Sequence, residues 1–379
     1  MKVLGIIAEY NPFHNGHKYH IDKAKKLINP DFVICVMSGN FVQRGEPAIF
    51  DKWTRAKFAI ENGVDAVFEL PVEFSMATAE RFSFGGISLL NDLGADYVAF
   101  GTENHLDEIK KCFEIFINNE ADIKKMLSSH DNDYLKVRDI VLGEDNILKT
   151  PNNILAFEYI KAIHKLNSKI TPVGIKRFGT NHDSDITKNN FASASHIREL
   201  IKSEKEYLKF VPYTDTVKHY VDKNDFSDLI NYKLISDGPE VIKDYAQVRE
   251  GLENRIYKSA LMNLNTDELI LEIKTKRYAY TAISRMLFSA LLNIKKQDLK
   301  EKPLYARLLA ANKNGRDFLS EFKDKISVPV ITKPSEIYNL SQDIINQAEK
   351  DFFATDVYMC INKNKKTGKA DLTTSPVIL

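Results

Sequence analysis

The sequence predicts an α/β protein with a parallel sheet in its first part and a mostly helical second part. Short apolar, β-branched runs alternate with helical patterns over the first hundred residues, at Val3–Ala8, Phe32–Met37, Ala66–Leu70 and Tyr97–Phe100. Crossover helices between such runs imply a parallel sheet that is buried on both faces. After about residue 205, long charged and apolar stretches with helical spacing dominate.

Further elements follow from the same patterns. A chain of 379 residues allows about two domains, and we predict one over residues 1–205 and another over 206–379. In the first domain we expect a helix at Asn152–Leu166, a strand at Ile170–Ile175 and a helix from Ser193. In the second we expect helical stretches at Val241–Leu261 and Ile283–Leu292. The tail is expected to contain a strand at Val328–Ile331, a helix at Ala354–Ile361 and an exposed basic loop at Lys363–Lys369.

Composition indicates a folded, water-soluble protein. Hydrophobic residues make up 44% of the sequence and charged residues 28%, which is typical of a folded globular protein. The 53 Lys and Arg residues balance 52 Asp and Glu residues, so a polyanionic partner would have to bind a local basic patch. The cysteines Cys35, Cys112 and Cys360 lack metal or redox spacing. The apolar start is too short for a signal peptide, and no run reaches the roughly 20 residues that cross a bilayer, so we predict a cytoplasmic protein without membrane contact.

The segment from Asn11 to His17 joins the first predicted strand to a helix and carries the strongest signal. His14 and His17 are three residues apart at the helix start, so their imidazoles lie near the same face. Free backbone N–H groups and the helix dipole favour an anion at that end, and Gly16 allows close approach to the backbone. This strand–turn–helix context predicts a phosphate-binding site.

A metal site from His14, His17 and His20, or a set of ordinary surface histidines, is the alternative. No carboxylate or cysteine nearby completes a typical zinc set. Nucleotide binding is therefore the preferred hypothesis, and no metal-binding residue is assigned.

A second polar block runs from Ala192 to Arg198. Ser193 and Ser195 stand at a predicted helix start with Arg198 one turn later, which suits the β and γ phosphates of a nucleotide. A surface helix that begins with a serine N-cap explains the same residue pattern. The first motif favours the functional interpretation.

Three other positions are candidate nucleotide contacts. Asn152 is suited to ribose or base, Arg177 follows a predicted strand and is suited to phosphate, and Gly101 leaves room for adenine against the backbone. A helix N-cap for Asn152 and a surface ion pair for Arg177 remain alternatives.

The polar stretch from Ser38 to Lys57 follows the second predicted strand. Within it, Gln43, Arg44, Arg55 and Lys57 are suited to a carboxylate substrate or RNA, although loop and helix charges are often simply solvated.

These blocks resemble the HxGH nucleotidyltransferase superfamily, in which histidine donors stabilise charge on the reacting phosphate. The block from Ala192 resembles the ISSTxIR signature, except that Ala194 replaces a serine. Within that superfamily the chain is similar to the tRNA(Met) cytidine acetate ligase family, from the start through Asn15-Gly16-His17 and along the stretches Ser38–Ala48, Val67–Pro71, Pro151–Asn153, Glu250–Arg255 and Lys274–Tyr278.

The resemblance implies a Rossmann-like (HUP) nucleotidyltransferase domain and a two-step reaction. ATP, with Mg²⁺, and acetate would give acetyladenylate, and the acetyl group would pass to the wobble cytidine of elongator tRNA(Met). His14 and His17 would be catalytic. The implied ATP-binding residues are Ile7, Ala8, Glu9, Tyr10, Asn11, Pro12, Phe13, His14, Asn15, Gly16, His17, His20, Gly101, Asn152, Arg177, Ser193, Ser195 and Arg198.

Candidate tRNA contacts lie in the second part, at Lys274, Lys276, Arg277 and Arg285. Tyr278 and Tyr280 are suited to stacking on bases, and equally to helix packing. The family pattern has Thr-Arg where this chain has Thr281 and Ala282, so one basic contact is missing or replaced.

Two other functions fit parts of the pattern. An adenylyltransferase that transfers AMP to a small phosphorylated cofactor precursor would share the ATP site, but such enzymes usually need less chain after it. A non-catalytic RNA-binding or nucleotide-sensing protein would keep the fold, but it would not need His14, His17 and Arg198 intact.

Overall fold

The structure is a computed structural model that describes residues 1–128, 134–143, 146–177, 190–214, 217, 219–362 and 368–379. Of the predicted basic loop, residues 363–367 lie outside this range. The strands are β1 (Val3–Ala8), β2 (Phe32–Ser38), β3 (Phe41–Val42), β4 (Glu46–Pro47), β5 (Ala66–Leu70), β6 (Tyr97–Thr102), β7 (Thr171–Lys176), β8 (Ala306–Ala311), β9 (Val330–Ile331) and β10 (Val377–Ile378).

The helices alternate with the strands in the first part and cluster in the second. They are α1 (Asn15–Ile28), α2 (Lys52–Glu61), α3 (Val72–Ser75), α4 (Ala79–Asp92), α5 (Leu106–Asn118), α6 (Glu120–Ser128), α7 (Tyr134–Leu142), α8 (Pro151–Lys165), α9 (Ala194–Lys202), α10 (Ser227–Ile242), α11 (Leu252–Ala260), α12 (Thr266–Ile273), α13 (Tyr280–Leu291), α14 (Lys313–Glu321), α15 (Gln342–Ile361) and α16 (Ala370–Thr373). Within the described residues, none of them is long and apolar enough to cross a lipid bilayer.

The main sheet confirms the predicted fold class. Its order is β10-β8-β5-β2-β1-β6-β7, with β9 paired to β8. The five strands from β1 to β7 in this sheet are mutually parallel where they pair. All residues of β2 and β5 are buried, as expected for strands covered on both faces. The predicted strands and the helix starting at Ser193 are found within about two residues.

The chain changes direction across the sheet between β1 and β6. From β1 it moves to β2 and β5 on one side, and then returns to β6 and β7 on the other. Such a reversal leaves a crevice beyond the carboxyl ends of the two central strands, where α/β sheets bind ligands. The turns after β1, β6 and β7 therefore meet at one edge.

The second part of the chain has two structural roles. Helices α10 to α13 form a separate apolar core around residues such as Ile230, Leu234, Ile283 and Leu287. In contrast, β8 pairs antiparallel with β5 in the main sheet, and β9 and β10 pair with β8. The division at residue 205 stays a prediction, and the sheet includes strands from both sides of it.

The stretch Val241–Leu261 is not one helix, contrary to its spacing. Helix α10 ends at Ile242 and α11 begins at Leu252, after Gly251 at φ 86°. Gln247 at φ 67° has the same left-handed backbone, which glycine adopts easily but which a continuous right-handed helix cannot contain. The expected tail elements are present as β9 and the end of α15.

A buried ionic cluster joins the carboxy-terminal segment to the first part of the chain. The Lys52 ammonium lies 2.7 Å from Glu69 Oε1 and 2.8 Å from Asp371 Oδ1, and Arg307 bonds Asp371 and lies 3.6 Å from Glu69 Oε2. Burial acts to raise the pKa of Asp371, but Lys52 and Arg307 outweigh it and the pKa is lowered. Asp371 is thus held in its ionised form, and both cations lie between the two carboxylates.

Replacing Lys52 with Met should leave two buried carboxylates sharing one cation. We expect the free energy of unfolding to fall by about 3–5 kcal/mol, since breaking a buried ion pair strands a charge. Urea denaturation followed by circular dichroism measures this change. Lys124→Met is the control, because Lys124 pairs with Glu120 with 73% of its side chain exposed, and it should alter stability by less than about 0.5 kcal/mol. Equal stability of the two variants would contradict the role of the cluster.

Candidate active site

A cavity of about 670 Å³ opens at the crevice between β1 and β6. Its walls come from the turn after β1, the start of α1, the ends of β6 and β7, the start of α8 and the start of α9. This size is typical of sites for small-molecule ligands. All predicted ATP-binding residues except Pro12, Phe13 and Asn15 line the cavity.

His14 and His17 cap the start of α1 reciprocally. His14 has an extended backbone and its Nδ1 accepts a hydrogen bond from Gly16 N at 3.0 Å. His17 Nδ1 accepts one from His14 N at 3.3 Å. An imidazole that accepts at Nδ1 while neutral carries its proton on Nε2. Both rings are therefore Nε2–H donors.

The two rings stack with centroids 3.7 Å apart and an angle of 20° between planes. A Cβ atom on Gly16 would lie 2.8 Å from His14 Cε1. Glycine is thus required here to make room for the His14 ring, which is a different reason from the phosphate approach proposed from the sequence.

All three histidines of this helix start are neutral at physiological pH. Burial, and then the nearby Arg177 guanidinium, lowers the pKa of His14 to about 3. The same two causes lower the pKa of His20 to about 4, and burial lowers that of His17 well below its ordinary value. Positive charge at the site therefore comes from arginines and the helix start, while the histidines supply neutral donors.

Helix α9 brings its polar start against the turn after β1. Ser193 Oγ accepts a hydrogen bond from His196 N at 3.2 Å, as the serine-cap alternative proposed. Arg198 Nη1 donates to Asn11 O at 2.8 Å, and Nη2 lies 3.5 Å from Glu46. Ser195 and Ala194 line the cavity as well. The capping and cavity-lining roles are thus combined in one segment.

The opposite wall contains the start of α8. Arg177 Nη1 donates to Asn152 Oδ1 at 3.1 Å, and the Asn152 amide donates to Glu103. Gly101 lines the cavity next to the Arg177 stem, 3.3 Å from where a Cβ would be. These three predicted residues therefore form one polar wall together with Glu103.

Pro12, Phe13 and Asn15 lie behind the wall. Phe13 is fully buried and packs edge-on against Tyr10. Asn15 Nδ2 donates to Asn190 O at 2.7 Å and Lys209 O at 3.0 Å. These contacts hold the turn in place, and ATP binding by these residues stays a prediction from the resemblance.

Several lining residues were not expected from the sequence. Phe82 comes from α4 and Tyr159 from α8, where their positions look like ordinary core positions of an amphipathic helix. Phe100 lies near the end of β6, and Phe191 precedes α9. Glu103 could be predicted from the sequence, because it is a polar residue directly after β6 and the carboxyl ends of parallel strands form the ligand-binding edge of such sheets.

The stretch from Ser38 to Lys57 divides between cavity and interior. Gln43 and Arg44 line the cavity. Arg55 is fully buried and donates to the carbonyls of Phe50, Glu9 and Ser38 at 2.9, 2.5 and 3.1 Å. Arg55 therefore holds the turns after β1 and β2, and its predicted contact with substrate or RNA is wrong. Lys57 pairs with Glu61 at 3.5 Å.

None of the four candidate tRNA contacts is among the residues that line the cavity. Lys274, Lys276 and Arg277 are exposed around the end of α12. Arg285 is different, because its Nε donates to Gln247 Oε1 at 2.7 Å and its Nη1 to Gln43 O at 3.2 Å. Burial lowers the pKa of Arg285 to about 10.

The two tyrosines of this region pack against the helical core. The Tyr280 hydroxyl bonds Asp267 and accepts from Lys223 at 2.9 Å. Tyr278 lies under the guanidinium groups of Arg249 and Arg277, at 5.6 and 5.8 Å from its ring centroid. These contacts favour helix packing over base stacking.

Known proteins resemble the chain over its whole length. The family model for HIGH Nucleotidyl Transferase matches residues 1–372. A tRNA(Met) cytidine acetate ligase of Thermoanaerobacter sp. (strain X514) is 41% identical over 396 aligned residues, covering 98% of both chains. One from Clostridium perfringens (strain ATCC 13124) is 40% identical and covers both chains completely.

Solved structures agree with these sequences. The crystal structure of Thermotoga maritima TmcAL bound with alpha-thio ATP superimposes with a TM-score of 0.91 at 29% identity, and the apo form with 0.93, each covering 100% of both chains. The chain belongs to the HIGH nucleotidyltransferase family, and within it to the family of tRNA(Met) cytidine acetate ligases. The resemblance inferred from the motifs is confirmed.

Replacing His17 should separate its donor role from its capping role. His17→Asn keeps an acceptor near the Nδ1 position but removes the Nε2–H donor, whereas His17→Ala removes both. We expect both variants to release pyrophosphate from ATP at least about 100-fold more slowly, the usual cost of losing one such donor, and only His17→Ala to unfold at lower temperature. His164→Ala, on an exposed end of α8, should keep turnover. Full turnover in His17→Asn would contradict the proposed donor role of His17 Nε2–H.

Proposed function

We propose that the protein is an ATP-dependent ligase that activates acetate as acetyladenylate and acetylates the wobble cytidine of elongator tRNA(Met), giving N4-acetylcytidine. One observation carries the proposal: two neutral, stacked imidazoles at the start of α1 open on a 670 Å³ cavity in a chain of this ligase family. Because tRNA is the substrate, we propose a cytoplasmic location.

The first step needs fixed donors around the α-phosphate of ATP. The triphosphate would lie across the start of α1, where backbone N–H groups and the helix dipole favour an anion. The Nε2–H groups of His14 and His17 would donate to the phosphate as acetate oxygen attacks phosphorus and pyrophosphate leaves. Arg198 and the serines of α9 are suited to the leaving pyrophosphate, where charge increases.

Mg²⁺ would arrive with the nucleotide. Among the described residues, no group of three His, Cys, Asp or Glu side chains is placed to hold a metal ion, and this includes the His14, His17 and His20 set. Mg²⁺ is commonly bound through substrate phosphates and water, and there it neutralises charge on the leaving group.

The second step transfers the acetyl group to RNA. The exocyclic amine of cytidine is a weak nucleophile, so it needs an activated acyl donor such as the mixed anhydride. The wobble base must leave its loop to enter the cavity, which single-stranded RNA allows at low cost. Aromatic rings of Phe82 and Tyr159 in the cavity wall offer flat apolar surface for a base.

An adenylyltransferase for a small cofactor precursor would use the same ATP site. Its product would be the adenylylated precursor, with no role for the exposed basic residues Lys274, Lys276 and Arg277. Full-length similarity to the ligases, including helices α10 to α13, favours the ligase. A non-catalytic role is disfavoured because the donors of the site are in place.

Incubation with ATP, radiolabelled acetate and elongator tRNA(Met) tests the proposal. We expect label in the tRNA that depends on ATP, and N4-acetylcytidine after nuclease digestion. A tRNA(Met) with uridine at the wobble position is the matched control, since it lacks the amine. Label confined to nucleotide, or AMP transferred to a phosphorylated small molecule, would contradict the ligase.

Salt dependence of tRNA binding tests the basic residues. Lys276→Gln and Arg277→Gln should each lower the slope of log K against log salt by about 0.7–0.9, because each removes one phosphate contact. Arg285→Gln should leave this slope unchanged, since its guanidinium is bonded to Gln43 and Gln247. Filter binding over a range of salt concentrations measures it. If instead Arg285→Gln lowered the slope and the other two variants did not, Arg285 would be the RNA contact.

A further inference from the structure

Two carboxylates line the cavity among the described residues, Glu9 and Glu103. Both oxygens of Glu103 are bonded, to Thr150 Oγ1 at 2.8 Å, to Asn153 N at 3.1 Å and to the Asn152 amide. Glu9 Oε1 accepts from Gln43 N at 2.9 Å. No donor in the described part of the chain is bonded to Glu9 Oε2, so this carboxylate has an acceptor available to a ligand.

Glu9 is held in a fixed position. It directly follows β1, and its carbonyl accepts a hydrogen bond at 2.5 Å from the buried Arg55 guanidinium. Its side chain is tied to the turn between β3 and β4 through Gln43 N. Backbone and carboxylate are thus fixed by two different elements, which is the kind of preorganisation that catalytic groups need.

The charge of Glu9 identifies the ligand group that it suits. A carboxylate repels phosphate, so the free oxygen is unsuited to the triphosphate of ATP, and the ATP contact that the resemblance implies for Glu9 stays a prediction. It attracts N–H donors. The exocyclic amine of cytidine has two N–H bonds and must lose one proton on acylation. Glu9 and Tyr159 both line the cavity, and Tyr159 lies close enough for Glu9 to raise its pKa.

We propose that Glu9 accepts the proton of the cytidine amine during acetyl transfer, an inference that rests on the proposed function. The amine nitrogen attacks the acetyl carbonyl carbon and forms the C–N bond. The proton on that nitrogen passes to Glu9 Oε2, and the C–O bond to the phosphate breaks as AMP leaves with the electron pair. Glu9 then releases the proton to water.

The surroundings of Glu9 adjust its basicity. Burial raises the pKa of Glu9, the Gln43 N–H opposes this, Glu46 raises it, and Arg44 and Arg198 lower it. Among the described residues, Arg55 and Tyr159 are also close enough for their pKa values to be shifted by the charge of Glu9. A carboxylate with a raised pKa is a better base near neutral pH. Because only the ionised form accepts a proton, transfer should slow as pH falls through this pKa.

Glu9→Gln provides the main test, because its amide oxygen can still accept the Gln43 N–H bond. We expect single-turnover acetyl transfer to fall at least about 100-fold, the usual contribution of a general base, and acetate-dependent ATP–pyrophosphate exchange to fall less than about fivefold. In this variant the rate of acetyl transfer should no longer fall as the pH is lowered. Glu9→Asp keeps a carboxylate, so it should transfer the acetyl group at least about tenfold faster than Glu9→Gln, and its rate should still fall at low pH.

Glu103→Gln is the matched control, since it removes a bonded carboxylate from the same cavity and should lower both half-reactions in parallel. Equal losses of both half-reactions in Glu9→Gln, or transfer at the normal rate, would overturn the role of Glu9 alone. A wild-type enzyme that forms no acetyladenylate would overturn the proposed function, and this role with it.

Discussion

The first turn of α1 is capped by the Nδ1 atoms of His14 and His17, and the geometry of the site depends on this contact. Because both Nδ1 atoms accept backbone N–H bonds, the rings cannot rotate without losing the cap, and their protons must be on Nε2. The cap thus fixes the tautomer, the stacking and the direction of the donors together. Burial keeps the rings neutral, so nucleotide binding needs no prior protonation.

The cap in turn needs a rigid support, which comes from residues distant in sequence. Arg55 holds the carbonyls that follow β1 and β2, and it lies on the same helix as Lys52. Lys52 is anchored to Glu69 and to Asp371 near the carboxyl end of the chain. The buried charge cluster thus connects α16 and β8 to α2, the helix that carries Arg55. A buried charge cluster is costly alone, but here it joins segments from opposite ends of the chain.

The sequence predicted the parts of the structure that follow from local rules. His14 and His17 were predicted because a polar turn between a buried strand and a helix is typical of phosphate-binding sites, and Arg198 because serines at a helix start with an arginine one turn later suit phosphates. Strand β8 was not predicted, because the residues Ala306–Ala311 are mostly good helix formers, and only pairing with β5 in a buried sheet makes them extended. Phe82 and Tyr159 were missed for a related reason: whether an apolar helix position faces core or cavity depends on the tertiary arrangement.

Arg285 shows how the helical part and the cavity are linked. It was predicted to bind RNA, but its guanidinium reaches the carbonyl of Gln43, whose N–H holds Glu9. In the same turn, Gly45 has φ 74° and lies so close to Arg285 that a Cβ would clash with the Arg285 backbone nitrogen. The turn that bonds the Glu9 carboxylate is therefore itself positioned by contacts with α13.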